Sequence, residues 1–214
     1  MAPSGFLKSL CVTGAYCLAI APFAHSAVIT IDASTKYQKI SGFGASTAWG
    51  SSMSASDADQ LWSTTTGAGL SLHRIRIAPD QTTSETNIAK MAIARGATVW
   101  ATPWTPASVD KTGETKATVG GTLTNPSAYA SKLLNFTKTM KNNGVPIYAV
   151  SAQNEPDATV DYESCKFDGA SMAKWVGKSM GPAFAGSGVK VMSPETQNWD
   201  GFARFWPAMY PMVK

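Results

Sequence analysis

The sequence predicts an α/β fold in which the strands of a parallel sheet alternate with helices. From residue 42 onward, short apolar runs typical of buried strands alternate with longer segments typical of amphipathic helices. Of the 214 residues, 44% are hydrophobic, which suffices for one sizeable buried core. Only 15% are charged, against about 25% in average soluble proteins, so the composition favours a neutral partner.

The first 26 residues have the pattern of a signal peptide. Lys8 precedes an apolar stretch from Leu10 to Phe23, and Ala24-His25-Ser26 offers the small side chains that a signal peptidase reads. We therefore predict cleavage after Ser26 and a secreted protein. The stretch is shorter than the ~20 residues of a membrane-spanning helix, so no membrane anchor is expected. Cys165 would be the single cysteine of the mature chain, which excludes an intrachain disulfide.

Charge and residue types exclude several classes of function. The formal net charge is +4 and the positive residues are scattered, so no nucleic-acid partner is expected. His73 is the single histidine after residue 26, which rules out metal sites built on paired histidines and favours a core imidazole. Gly42–Thr47 lacks the third glycine of a dinucleotide-binding fingerprint. We expect neither a cofactor nor a metal.

The strands are predicted from apolar runs bounded by residues typical of turns. Val28–Asp32 and Tyr37–Ile40 come before any helix and are separated by a turn at Ala33–Thr35. The five strands of the parallel sheet follow, at Gly42–Gly44, Leu72–Ile77, Ala97–Thr102, Pro146–Gln153 and Val189–Ser193.

A helix is predicted after each strand of the sheet. The first begins near Ser54, an N-cap residue with Asp57 three positions on, and the second ends near Arg95. Asn125 caps the third and Pro126 takes its first position. The apolar stripe of this third helix consists of Tyr129, Leu133, Phe136 and Met140. The last two helices cover residues 172–180 and 201–210.

Five strand–helix units fit either an eight-unit barrel or a doubly wound sheet. Because a (β/α)8 barrel usually takes ~250 residues, residues 42–214 predict an incomplete (β/α)8 TIM barrel of about five units. In such barrels the site lies at the C-terminal ends of the strands. Glu155, in Asn154-Glu155-Pro156 after the fourth strand, is thus a candidate general acid. The alternative is a solvated acid in an ordinary loop.

Several segments resemble glycoside hydrolase family 30. Ser151–Asp157 resembles the acid/base motif of these retaining enzymes, and Ile40–Ser46, Leu72–Ile77 and Ala101–Pro106 resemble their first three barrel strands. Asp161–Cys165 favours the xylanase and glucuronoxylanase branch. The resemblance implies a secreted enzyme that cuts xylan, a polysaccharide, internally at β-1,4 linkages. It implies no cofactor, and a monomer at full length.

The resemblance also implies roles for single residues. Glu155 would be the acid/base catalyst, Asn154 would bind the hydroxyl next to the reacting carbon, and Arg74 would steer the nucleophile. The substrate-binding residues implied are Asn154, Trp104, Trp49, Arg74 and Glu195. Trp104 and Trp49 would form aromatic walls, since sugar C–H faces lie well against indole rings. Core packing is the alternative for each tryptophan, and a structural ion pair is the alternative for Arg74.

The nucleophile is expected to be missing. Retaining hydrolysis needs a second carboxylate ~5 to 5.5 Å from the first, and in the family it comes from the seventh strand. This sequence stops after five units, so we expect a truncated and inactive chain, with residues 27–41 supplying strands to a side β-domain. Two alternatives stay open: a carbohydrate-binding remnant without activity, or a relative that cleaves other β-glycosides such as β-1,6-glucan or β-glucosides.

Overall fold

The computed structural model describes residues 29–32 and 34–212, and the chain divides into two units at Ile40/Ser41. The signal segment 1–26 and Val28 lie outside the described residues. Residues 29–32 and 34–40 hold no strand, so the strands predicted here are wrong for the part of the segment that is described. Ile29 and Ile31 are exposed, and isolated edge backbone without a partner does not form a sheet. The Asp32 carboxylate instead accepts hydrogen bonds from Ser34 and Thr35, within the predicted turn.

The second unit, residues 41–214, contains all the regular elements found in the described residues. Its strands are β1 Gly44–Ser46, β2 Leu72–Ile77, β3 Thr98–Pro103, β4 Lys111–Lys116, β5 Val119–Leu123, β6 Ile147–Ser151 and β7 Lys190–Met192. Its helices are α1 Ala55–Trp62, α2 Thr86–Ala94, α3 Pro126–Asn142, α4 Gly169–Trp175, α5 Gly181–Phe184 and α6 Trp199–Met209. A π-helical stretch, Val176–Met180, joins α4 to α5, and single 3₁₀ turns lie at Ser108–Asp110 and Tyr210–Met212.

Five strands form one parallel sheet in the order β1-β2-β3-β6-β7, which confirms the predicted α/β fold. The second strand has the predicted bounds, whereas β1 lies two residues later than expected. Gly44 allows β1 to approach β2 closely, because a Cβ there would lie 2.4 Å from the Leu72 carbonyl oxygen. Since neighbouring strands run parallel, their C-terminal ends share one edge of the sheet.

A hairpin of β4 and β5 was not predicted. The two strands pair antiparallel, with Lys111 opposite Leu123 and Glu114 opposite Gly120. Ala117 and Thr118 connect them, and Thr118 has a φ of 71°, in the left-handed region. This connection lacks the Asn-Gly or Asp-Gly pair that signals a tight hairpin, and β4 consists largely of polar residues.

The main core lies between the sheet and the helices. The predicted stripe of α3 is confirmed, because all four of its members are buried: Tyr129, Leu133, Phe136 and Met140. Ser54 caps α1 as predicted, accepting a hydrogen bond of 3.1 Å from the Asp57 backbone N–H. Asn125 occupies the N-cap position of α3 as predicted, but its side chain makes no capping hydrogen bond and donates to the Val109 carbonyl oxygen at 3.0 Å. Among the described residues no helix is both long and apolar enough to cross a membrane.

Candidate active site

An open cleft of about 380 Å³ lies at the C-terminal edge of the parallel sheet. Its lining residues lie on one strand, β2, or follow one of three others, and they are brought together from distant parts of the sequence. They are Trp49, Arg74, Trp104, Asn154, Glu155 and Tyr162. Five of these were predicted as site residues from the sequence, and Tyr162 was not.

Backbone hydrogen bonds fix the loop that carries Asn154 and Glu155. Asn154 forms a parallel bridge with Glu195, and its N–H donates to the Pro103 carbonyl oxygen at 2.9 Å. The Glu155 N–H donates to the Glu195 carbonyl oxygen, also at 2.9 Å. Glu155 itself has a φ of 40°, in the left-handed region that non-glycine residues rarely adopt. A strained backbone conformation of this kind persists only where the surrounding structure imposes it. Here it turns the backbone sharply at Glu155.

Arg74 is the centre of a polar network under the cleft. Its Nη2 lies 2.6 Å from Asn154 Oδ1 and 2.6 Å from Glu195 Oε1. Its Nε donates to Thr102 Oγ1 at 3.2 Å, and Thr102 donates in turn to Glu195 Oε2 at 3.1 Å. Burial lowers the pKa of Arg74 and raises that of Glu195, while the attraction between the two opposes both shifts. Glu195 thus pairs with Arg74, which lines the cleft, and the role of Glu195 in substrate binding stays a prediction.

The two predicted aromatic residues lie side by side but differ in exposure. Trp49 is 52% exposed, whereas Trp104 is 5% exposed. Their rings meet edge to face at 4.9 Å, and the Arg74 guanidinium lies over the Trp104 ring at 4.2 Å. Trp104 therefore lines the cleft with only a small exposed surface. Trp49 is the ring that a ligand could cover.

Glu155 and Tyr162 line the same cleft and contact each other. The Tyr162 phenol donates a hydrogen bond of 2.9 Å to Glu155 Oε2. Partial burial, and then the hydrogen bond and charge of Glu155, raise the pKa of Tyr162. The sequence of Asp161–Cys165 did not predict this contact. A tyrosine in an irregular loop gives no periodic signal that would indicate which side chain it faces.

His73 lies outside the cleft, as predicted. It is fully buried on β2, its Nε2 lies 3.3 Å from Thr47 Oγ1, and its ring meets Trp62 edge to face at 4.9 Å. Burial lowers its pKa to about 4. The buried His73 ring is not among the residues that line the cleft.

No family model matches the chain. It is 34% identical over 139 residues to Glucuronoxylanase XynC from Bacillus subtilis (strain 168), a match that covers 60% of this chain and 33% of the relative. It is also 36% identical to the glycoside hydrolase family 30 subfamily 8 xylanase Xyn30A from Clostridium acetobutylicum, whose structure matches with a TM-score of 0.69. The chain is homologous to Glucuronoxylanase XynC and structurally matches a family 30 subfamily 8 xylanase.

The structural match with Xyn30A covers 77% of this chain and 44% of the xylanase, so this chain spans less than half the length of that relative. The endo-beta1,6-glucanase BT3312, at 20% identity, shares the fold alone, with a TM-score of 0.71 over 86% of this chain and 52% of the glucanase. These matches confirm the predicted partial (β/α)8 barrel.

Proposed function

We propose that this chain carries the acid/base part of the active site of a secreted, retaining glycoside hydrolase that cleaves xylan. The observation that carries the proposal is the position of Glu155 at the end of β6, in an open cleft beside Trp49 and Tyr162. Homology to a protein named glucuronoxylanase and to a family 30 xylanase favours xylan over other β-glycosides.

In the proposed mechanism, Glu155 donates its proton to the glycosidic oxygen, the electrons of the breaking C–O bond pass to that oxygen, and a nucleophilic carboxylate bonds to the anomeric carbon. In the second step the Glu155 carboxylate takes a proton from water, whose oxygen bonds to the anomeric carbon and releases the nucleophile. Asn154 binds a sugar hydroxyl close by. Because Arg74 occupies its Oδ1, the Asn154 amide NH₂ is the group left to donate to the substrate.

The retaining mechanism also requires a nucleophilic carboxylate ~5 to 5.5 Å from the acid. Glu195 is a poor candidate, since Arg74 and Thr102 hold both of its oxygens. We therefore propose that the described residues supply the acid/base and a sugar-binding wall but no nucleophile, and that this chain alone binds xylan without cleaving it. The same observation supports the second candidate function, a carbohydrate-binding protein without activity.

Xylooligosaccharide binding, followed by tryptophan fluorescence, tests the cleft. Titration with xylohexaose is expected to change the emission of the parent chain, and Trp49→Ala is expected to abolish that change. Trp199→Ala is the matched control, because Trp199 is 83% exposed but does not line the cleft. Equal binding by both variants contradicts the assignment of the site.

Reducing-sugar release from xylan separates the two candidate functions. We expect no release above the buffer blank from this chain. Release that Glu155→Gln abolishes would show that the chain contains a nucleophile and is an enzyme by itself. Binding of a β-1,6-glucan in preference to xylan would contradict the proposed substrate.

A further inference from the structure

We propose that Tyr162 is a positioning residue for Glu155: its hydroxyl holds Oε2 and leaves Oε1 as the oxygen that delivers the proton to the departing sugar. The proposal rests on the acid/base role proposed above for Glu155. The contact between Tyr162 and Glu155 was not predicted from the sequence.

The Glu155 carboxyl group has one hydrogen-bonding neighbour among the described side chains. Within residues 29–32 and 34–212, Tyr162 is the one side chain that hydrogen-bonds this group, at 2.9 Å from Oε2, and Oε1 has no hydrogen-bond partner. The backbone of Glu155 is held by its hydrogen bonds to the Glu195 carbonyl oxygen and from the Ala158 N–H, but its side chain has further rotatable bonds. A single directional hydrogen bond therefore determines where the carboxyl group points.

The hydrogen bond from Tyr162 to Glu155 strengthens during proton transfer. While Glu155 is protonated on Oε1, the Tyr162 hydroxyl makes a neutral hydrogen bond to Oε2. As the proton moves to the glycosidic oxygen, negative charge develops on the carboxyl group, and a hydrogen bond to a charged acceptor is shorter and roughly twice as strong. Tyr162 thus stabilises the transition state more than the ground state.

The loop carrying Tyr162 is anchored by the two residues that follow it, Glu163 and Ser164. We call Asp161–Cys165 the anchored loop. Glu163 forms a two-point ion pair with Arg76 of β2, with Nε 2.8 Å from Oε2. Ser164 binds the β4–β5 hairpin: its N–H donates to the Thr118 carbonyl oxygen and its Oγ accepts from the Gly120 N–H, both at 2.9 Å.

Buried Lys111, on the first strand of that hairpin, donates to the Ser164 carbonyl oxygen at 3.0 Å. The unpredicted hairpin therefore acts as a support for the anchored loop. Arg76 also lies under Trp49, with its guanidinium carbon 5.1 Å from the ring centre. Arg76 therefore contacts both Trp49 and Glu163. Its ion pair with Glu163 holds the loop from which Tyr162 contacts Glu155.

Titration of Tyr162 tests the contact directly, by NMR of the full chain labelled with ¹³C at tyrosine Cζ. Glu155→Gln removes the charge that contributes to the raised pKa of Tyr162, so the pKa of Tyr162 is expected to fall. Tyr148 is the internal control, because it is 44% exposed, close to the 42% of Tyr162, but contacts Lys190 instead. An unchanged Tyr162 pKa, or an equal change at Tyr148, overturns the proposal.

A double-mutant cycle tests the anchor. The fall in the Tyr162 pKa caused by Glu155→Gln is expected to shrink in a Glu163→Gln background, where the ion pair with Arg76 is lost. Asp161→Asn is the matched control, because it removes a negative charge from the same loop without breaking that pair and is expected to preserve the fall. A fall of the same size in both backgrounds contradicts the anchoring role of Glu163.

Tyr162→Phe tests the same contact by removing the hydrogen-bond donor. This test does not depend on the folding of the Glu163 variant. Removing one hydroxyl is expected to shift the carboxyl ¹³C resonance of Glu155; an unchanged resonance overturns the proposal. These measurements need neither sugar nor turnover. A chain that shows the coupling but binds no xylan therefore contradicts the proposed function and leaves the Tyr162–Glu155 contact intact.

Discussion

Helix α3 and the cleft edge of the sheet differ in what holds them together. Tyr129 and Leu133 of α3 are buried among apolar neighbours, so the helix is held by removal of apolar surface from water. At the cleft, Arg74 and Glu195 are held by charge and hydrogen bonds in a partly exposed setting. Apolar burial in the core therefore stabilises this unit, whereas the cleft edge of the sheet holds charged side chains close together.

The largest effect is expected in the core. Leu133→Ala removes a fully buried side chain and leaves a cavity, which lowers the free energy of unfolding by about 2 to 5 kcal/mol. Urea denaturation followed by circular dichroism measures the loss. Leu134→Ala, at the half-buried neighbouring position on the same helix, is the control and is expected to cost much less. Equal losses would contradict the orientation of α3.

The core also contains a titrating group. The pKa of His73 falls from 6.5 to about 4 in the folded chain because the ring is buried. Between these two pH values the unfolded chain binds a proton that the folded chain excludes, so stability is lost as the pH falls from about 6.5 to about 4. The loss reaches about 3 kcal/mol.

Urea denaturation across this pH range measures the loss, with His73→Asn as the control that lacks the titrating group. The free energy of unfolding of His73→Asn is expected to depend less steeply on pH within this window. The same steepness in both chains would show that the ring is accessible to protons in the folded state.

A smaller effect is expected under the cleft. Glu195→Gln leaves the Arg74 charge without its partner, and we expect a loss of about 2 kcal/mol, below the usual cost for a fully buried pair because both side chains retain some exposure. Asp59→Asn, which breaks the more exposed pair with Arg95, is expected to cost under about 1 kcal/mol. Similar losses of unfolding free energy for the two variants would indicate that the Arg74–Glu195 pair is as exposed to solvent as the Asp59–Arg95 pair.

The smallest effect on stability is expected at the acid itself. Glu155→Gln keeps an acceptor for Tyr162 and buries no new group, so the free energy of unfolding should change by less than about 0.5 kcal/mol. Thermal denaturation of this variant beside Glu195→Gln measures the contrast. A large loss at Glu155 would mean that its side chain serves the fold, and would weaken its proposed catalytic role.

Local patterns in the sequence predicted much of the fold. The bounds of β2, the apolar stripe of α3 and the Ser54 cap were correct because each depends on residues a few positions apart. The strands expected within residues 28–40 were wrong where the segment is described, because apolar alternation forms a strand only where a partner strand is available. The β4–β5 hairpin was missed because its connection lacks a strong turn signal.

The candidate site was predicted in part. The resemblance of residues 151–157 identified Glu155 and Asn154, and the structure brings both into one cleft with Arg74, Trp49 and Trp104. The catalytic and binding roles of these residues remain predictions. The relative exposure of the two tryptophans did not follow from the sequence, because it depends on Arg74, which covers Trp104.

The sequence by itself determined the order of strands and helices, the buried stripe of α3 and the acid at the end of β6, since periodicity, caps and motifs are properties of neighbouring residues. Only the tertiary structure decided that Tyr162 meets Glu155, that Glu163 meets Arg76 from 87 positions away, and that Glu195 is held by Arg74. The physical reason is that these contacts form where the ends of separate strands converge on one edge of the sheet, and their geometry is set by packing between elements that are distant in the chain.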